Sequence, residues 1–370
     1  MSTPSCSDWP VPPGLTLDND ASWSTIAPSQ RKFEAREAVF LFPASSADRL
    51  FCISRGDLAS GTFQMTQSDQ GDADCVSMKV IIEYYPAHVF DLVKVCELKR
   101  KENQYGIGIL TRKRPSRFSG AHFQAKVVVT LPKSGTDVLK LKSFETDMPL
   151  FPHQLDNLAS TVHFRSISLR TSNVPILVES FSARRANIET SNAPVEGSFS
   201  ASSSLNLITS NSHIRASVFL QNMDAANFSE LTMKSSNGPI AASIILSLDP
   251  RSATAQSQSQ ASTERGGNFS VNATTQNGPL TLTFPSAPRS CNLQLRASGS
   301  LGPADVSPPK TYEGAFECKH PWHILRLALG TEVEDDSRDS DCWYLNRMEI
   351  QRSGDGFVLV TKEGGAETSR

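Results

Sequence analysis

The sequence predicts an all-β chain folded as a β-solenoid. This is a single-stranded β-helix of about five to six rungs of roughly 19 residues, with β-rich caps at both ends. Three observations lead there. A short phrase recurs, apolar and polar residues alternate on both sides of it, and insertions fall at one point of the repeat.

The phrase reads Thr171-Ser172-Asn173-Val174-Pro175-Ile176, then Thr190-Ser191-Asn192-Ala193-Pro194-Val195, then Thr209-Ser210-Asn211-Ser212-His213-Ile214. It returns as Ser235-Ser236-Asn237-Gly238-Pro239-Ile240 and as Thr275-Gln276-Asn277-Gly278-Pro279-Leu280. The first two steps between successive asparagines are equal, and the third and fourth are progressively longer. Such self-similarity marks stacked units, none of which buries its apolar face alone. Counted from the Asn, positions minus six, minus four and minus two hold Ile167, Leu169 and Thr171 in the first copy. In the fourth they hold Leu231, Met233 and Ser235. Positions plus three, five and seven hold Ile176, Val178 and Ser180, and in the fourth copy Ile240, Ala242 and Ile244. The residues between are mostly polar, so the period is two, that of half-buried strands.

Each unit then reads as strand, tight corner, strand and open return. Ser-Asn and Asn-Gly bring to the corner a residue that tolerates left-handed backbone. Pro follows where a missing N–H costs least. Stacked at about 4.8 Å, Asn173, Asn192, Asn211, Asn237 and Asn277 would form a structural ladder along one edge. The step from Asn211 to Asn237 is lengthened around Gln221–Ala226, and the step from Asn237 to Asn277 by a Gln/Ser-rich run. Both insertions lie between plus seven and minus six and would leave the edge opposite the ladder. The second, residues 251–265, is of low complexity and is expected to be mobile.

Four segments follow: 1–30, a disordered Pro/Ser-rich lead-in; 31–145, a β-rich N-terminal cap; 146–310, the repeats; and 311–370, a C-terminal β cap. Within the first cap Leu50–Ser54, Val76–Tyr84, Gly106–Leu110 and Phe123–Leu131 read as strands. Val89–Arg100 fits a strand and a helical face alike. Thr146-Asp147-Met148-Pro149-Leu150 is a degenerate copy of the phrase, and Gly299–Val306 a worn corner. Met348–Gln351 and Phe357–Thr361 flank a hairpin at Ser353-Gly354-Asp355-Gly356.

Composition bounds the function. A net charge of −2 gives no global pull toward nucleic acid. No apolar run reaches about 18 residues, so no transmembrane helix is expected. The N-terminus lacks the basic start and apolar stretch of a secretory signal. Seven cysteines, odd in number and widely spaced, read as reduced thiols of an intracellular, cytoplasmic protein.

Four phrases together resemble a group of fungal proteins of unknown function. They are the repeat phrase, the run Leu50-Phe51-Cys52-Ile53-Ser54-Arg55-Gly56-Asp57-Leu58-Ala59-Ser60-Gly61, Gly106-Ile107-Gly108-Ile109, and Tyr312-Glu313-Gly314-Ala315-Phe316. That group is similar to the bacterial candidate-adhesin β-solenoid domain. The resemblance spans roughly residues 33–320. It implies a β-helix with adhesin-like binding and supplies no activity, cofactor or catalytic residue.

The residues themselves point to a non-enzymatic binding or structural scaffold whose partner is a protein or an anionic surface. The alternative is a carbohydrate-active β-helix enzyme, which would need carboxylates clustered on one face. Glu179, Glu189 and Glu196 do not repeat on neighbouring rungs. Cys318, His320 and His323 are metal-capable, but no fourth ligand is identifiable. The acids of Glu332–Asp341 lack the glycine and terminal glutamate of a calcium loop. Arg55-Gly56-Asp57 is a chance-length match to an adhesion tripeptide. A further alternative is an anionic-surface binder. Lys94, Lys99, Arg100 and Lys101 precede Tyr105, and Arg112, Lys113, Arg114 and Arg117 follow Leu110. A reversal near Asn103 would bring the two basic arms together, with Lys99, Arg100, Lys101, Arg112, Lys113 and Arg114 as the patch. The bland reading of the same charge is a guarded strand edge.

Overall fold

Residues 9–310 are described by the computed structural model, apart from 31, 71, 114–120, 134–136, 225 and 249–265. Beyond 310 it describes only the backbone of five short strands. Strands dominate, and the one helical element among the described residues is the 3-10 turn Ala87–Leu92. That turn and the following strand Val93–Lys101 divide the ambiguous stretch 89–100 between them. No helix among the described residues is long and apolar enough to cross a membrane. The chain forms two compact units, Met1–Ala201 with Leu205–Ser212, and Ser202–Ser204 with His213–Arg370.

In the first unit, the strands Glu34–Pro43, Cys75–Tyr85 and His122–Pro132 pair antiparallel. Val93–Lys101 and Gln104–Thr111 form an antiparallel hairpin. Parallel stacking begins at residue 49, upstream of the phrase. Arg49–Arg55 lies on Gln104–Thr111, and Gly61–Ser68 on His122–Pro132. Leu139–Asp147 and His153–Asn157 stack next, and their corner carries the degenerate phrase. Val162–Arg170 and Ile176–Glu189 continue both ladders. So the run Leu50–Gly61 is itself a strand, a corner and the start of a strand. Its glycines are there for close approach: a Cβ on Gly61 would collide with the Ala125 carbonyl.

In the second unit, Ile214–Asn222, Ile240–Leu248, Leu280–Ser286 and Ala304–Ser307 stack in parallel. Ser229–Ser235, Asn268–Thr275 and Asn292–Gly299 form a second parallel ladder. The worn corner around Gly299–Val306 therefore joins two strands of a further repeat. Buried Asn222 holds the shorter insertion, donating from Nδ2 to the backbone carbonyls of Asn227 and Asn268. The long insertion, 251–265, lies outside the described residues. Met348–Ser353 and Gly356–Thr361 pair antiparallel, with Ser353 opposite Gly356.

The phrase has a physical role residue by residue. Its threonines point inward and are buried. Thr171 Oγ1 donates to the Val174 carbonyl at 2.8 Å, and Thr209 Oγ1 to Ala193 at 3.0 Å. Thr275 Oγ1 donates to Gly238 at 3.0 Å. These hydroxyls satisfy carbonyls that the corner would otherwise bury unpaired, each bond contributing about 1 kcal/mol. The proline carbonyls accept from the preceding repeat: Ile176 N–H reaches Pro194, and Ile240 N–H reaches Pro279. Ile167, Leu169, Ile188, Leu207, Ile214 and Ile240 are buried, and the buried rings of Phe164, Phe181 and Phe199 meet edge to face.

Four expectations are corrected. The asparagine corners are not left-handed: outside glycine, positive φ occurs among the described residues only at Asn103 and Ser290. The corner glycines serve packing, since a Cβ on Gly278 would strike the Gly238 carbonyl. The open return is not open either. Ile176–Glu189 runs as one strand in which the alternation slips twice, leaving Glu179 with Ser180 and Arg184 with Arg185 as consecutive outward pairs. Phe181 rather than Ser180 therefore faces the core. Finally, part of the lead-in is ordered: Thr16–Asp20 pairs with Val93–Lys101, and Trp9, Val11, Leu15 and Leu17 pack on Phe51, Leu98 and Leu110.

Candidate functional site

Outward-facing residues of the first unit build a polar groove. Strand register aligns Phe51, Glu145, Ser168 and Asn187 in one column across four stacked strands. The adjacent column holds Ile53, Asp147, Arg170 and Glu189. Same-face residues two apart on a strand stand about 6.6 Å apart, so the columns are neighbours. Arg100, from the hairpin, forms a wall. The cavity has a volume of about 350 Å³ and is lined by members of both columns together with Arg100, Cys52 and Thr146.

The groove's charges are paired within it. Glu145 binds Arg49 at 3.1 Å and Arg100 at 3.0 Å. The Arg100 guanidinium also lies 5.0 Å from the centre of the Phe51 ring, a cation–π contact. Asp147 pairs with Arg55, the arginine of the Arg55-Gly56-Asp57 match. Glu189 pairs with Arg170 at 2.9 Å. Carboxylates thus share this face without standing on neighbouring repeats: Glu145 and Asp147 lie on one strand, and Glu189 lies two strands away with Arg170 between. Glu145 and Asp147 escaped the sequence reading because they precede the first full phrase. Their repeat is also longer than the regular copies: Glu145 lies opposite Ser168, whereas Ser168 lies opposite Asn187.

Beneath the groove His153 is buried against Phe63, with Nδ1 2.7 Å from the Phe151 carbonyl and Nε2 2.7 Å from Thr146 Oγ1. These contacts define a neutral tautomer, protonated on Nδ1 and accepting from Thr146. Burial pushes its pKa down to about 4, and the bond to Phe151 offsets only part of that. The thiol of buried Cys52 is pushed up by desolvation, so it packs as a small apolar group beside Met78.

The basic cluster takes a different form from the one expected. The reversal occurs, with Asn103 at φ +57° in the turn. Yet Lys101 sits opposite Gln104 beside the turn, while Val93 sits opposite Thr111. The hairpin therefore places Lys99, Arg100 and Lys101 at one end and Arg112 and Lys113 at the other, about 25 Å away at strand spacing. Lys99 lies over Tyr105, Arg112 over Trp9, and Lys94 on Asp20. Arg114 is outside the described residues, as are Cys318's neighbours His320 and His323 and the acidic run 332–341.

The asparagines do meet. Asn192 Nδ2 donates to Asn173 Oδ1 at 2.6 Å, and Asn211 Nδ2 to Asn192 Oδ1 at 2.5 Å. In the second unit Asn277 Nδ2 donates to Asn237 Oδ1 at 2.5 Å. Each amide gives one hydrogen and accepts another, a pattern that repeats as long as the stack does. No group of three or more metal-ligating side chains stands together among the described residues.

No protein-family model matches the chain, and no curated protein matches it. It is similar to solved structures at low identity. A candidate adhesin from Parabacteroides merdae is 10% identical, over 72% of this chain and 95% of that one, with a TM-score of 0.33. A candidate cell adhesion protein from Clostridium sporogenes is 9% identical over 72% and 100%, with a TM-score of 0.22. A candidate lipid-binding protein from Parabacteroides distasonis is 11% identical over 71% and 96%, at 0.27. At these scores neither a fold nor a function is carried over from them.

Proposed function

We propose that the chain is a non-catalytic, adhesin-like binding scaffold in which each unit coils as a β-solenoid. The groove of the first unit is where it holds its ligand. Parallel, in-register pairing between repeats of unequal length supports the coil: Ser168 lies opposite Asn187, Ile214 opposite Ile240, and Ile240 opposite Leu280. The asparagine ladders act as structural clamps on its edge.

One observation carries the binding reading: Glu145, Asp147 and Glu189 share one face of the stacked strands, and each is engaged by arginine. Glycoside hydrolysis needs one carboxyl carrying a proton and a second free to attack or to activate water. Carboxylates locked into arginine pairs serve instead as fixed acceptors. Arg, Asp, Glu and Asn present planar donors and acceptors that match the paired hydroxyls of a neutral oligosaccharide. Such a ligand leaves every ion pair intact. An intracellular, cytoplasmic location belongs to the same reading. It is supported by Cys52, Cys75 and Cys291, which are free thiols among the described residues.

An oligosaccharide array tests this. Wild type is expected to retain a subset of neutral glycans. Ser168→Trp, which fills the groove from an outward position, is expected to lose them at unchanged Tm. Shortened sugars released from the retained set would overturn the non-catalytic reading. An array that retains nothing would overturn the groove.

A further inference from the structure

The first unit carries a second charged feature that the sequence does not show as a cluster. Leu141, Phe164 and Ala183 align across three strands, and so do Ser143, Ser166 and Arg185. Lys142, Arg165 and Arg184 lie between these aligned rows and occupy equivalent positions on adjacent repeats. There the inward alternation takes a three-residue step, from Leu141 to Phe144, Phe164 to Ile167, and Ala183 to Ala186. Two consecutive residues are therefore turned outward at a bend. Arg165, Arg184 and Arg185 are exposed, and Lys140 extends the row at the first repeat. The cations stand about 4.8 Å apart from strand to strand.

These charges differ from those of the groove. Lys142 reaches Asp48 at 2.7 Å. Arg165, Arg184, Arg185 and Lys140 have no carboxylate within ion-pair distance among the described residues. Like charges opposite one another on neighbouring strands are destabilising, and a bound anion removes that cost. The local potential is felt by His163, which lies 3.1 Å from Ser182 Oγ beside the ridge. Burial and then the charge of Lys140 lower its pKa.

We propose that this ridge binds a linear polyanion of closely spaced phosphate groups, of the inorganic polyphosphate class. Three of the five cations are arginines, whose planar fork holds phosphate oxygens two at a time. Their arrangement in a row at regular spacing fits a chain better than a single ion. Ser143, Ser166 and Ser182 stand beside them and add hydroxyl donors. Single-stranded nucleic acid needs aromatic platforms for its bases, and the ridge presents none. The proposal is independent of the groove, which lies on the following residues of the same strands and has its charges paired.

The test is equilibrium binding of full-length protein to inorganic polyphosphate, with orthophosphate as the short control. Polyphosphate is expected to bind, orthophosphate not measurably, and affinity to fall about 50-fold between 50 and 200 mM salt for four contacts. Arg165→Ser with Arg184→Ser and Arg185→Ser is expected to lose at least about tenfold at 50 mM salt, with Tm unchanged or raised as the repulsion is relieved. Each removed contact should also flatten the salt slope. Equal binding by the triple variant would overturn the proposal, and so would salt-independent binding. Wild type that associates with phosphatidylserine vesicles and ignores polyphosphate would overturn it in favour of a membrane surface.

Discussion

The hairpin Val93–Thr111 and the ridge Lys140–Arg185 carry cations in opposite ways. The hairpin with its flanks is dense in sequence, with eight cations between Lys94 and Arg117. In space the described ones are split between its two ends, and several are committed to Tyr105, Trp9, Glu145 or Asp20. The ridge is sparse in sequence, since Lys142, Arg165 and Arg184 each belong to a different repeat. Parallel stacking makes them neighbours. An antiparallel hairpin brings together only residues equally far from its turn and leaves its two ends a strand length apart. A parallel stack brings together residues one repeat apart, however long the repeat.

The largest expected effect attacks the stacking on which this contrast rests. Leu207 is fully buried in the first unit. Leu207→Asp places an unpaired carboxylate in the core, which costs several kcal/mol in a fold whose repeats depend on one another. Loss of soluble protein is expected. A soluble variant that melts like wild type would break the register, and with it the ridge.

A smaller effect extends the contrast of paired and unpaired charge to the interior. His153 is held neutral in the folded state down to about pH 4, whereas in the unfolded chain it takes up a proton near 6.5. Between those values the unfolded state binds more protons, so stability falls as pH falls, by roughly 3 kcal/mol in all. Above pH 6.5 the group contributes no pH dependence. Chemical denaturation of wild type and His153→Gln at pH 7 and pH 4.5 should show a steeper loss in wild type. Parallel losses would show that His153 is solvated.

The smallest effect sharpens the comparison directly. Lys99→Glu with Lys101→Glu alters the turn end of the hairpin without touching the ridge. Polyphosphate affinity is expected to change less than twofold, and stability by under about 0.5 kcal/mol. A loss as large as that of the ridge variant would return the binding site to the hairpin.

The strands of the N-terminal region and the hairpin at Ser353–Gly356 were legible because alternation and turn residues are local signals. The inward positions Ile188, Leu207, Ile214 and Ile240 were legible for the same reason. The slip at Ser180 and Phe181 was not, because both faces of a bend look polar when two outward residues follow one another. Order in Thr16–Asp20 was hidden too. Its stability comes from Leu15 and Leu17 packing on the hairpin Val93–Thr111, far along the chain, and nothing in a Pro/Ser-rich composition announces that contact.

By itself the sequence determined the unit that stacks. Thr-Ser-Asn-x-Pro-Ile contains, in one short phrase, the inward hydroxyl, the outward amide and the strand start that every repeat uses. Tertiary structure alone decided which charges are neighbours. Glu145 meets Arg49 and Arg100, and Arg165 stands level with Arg184 because Phe164 lies opposite Ala183 and Ser166 opposite Arg185. Register depends on the summed packing of buried faces across repeats of unequal length, and charges at the surface inherit the outcome without helping to specify it.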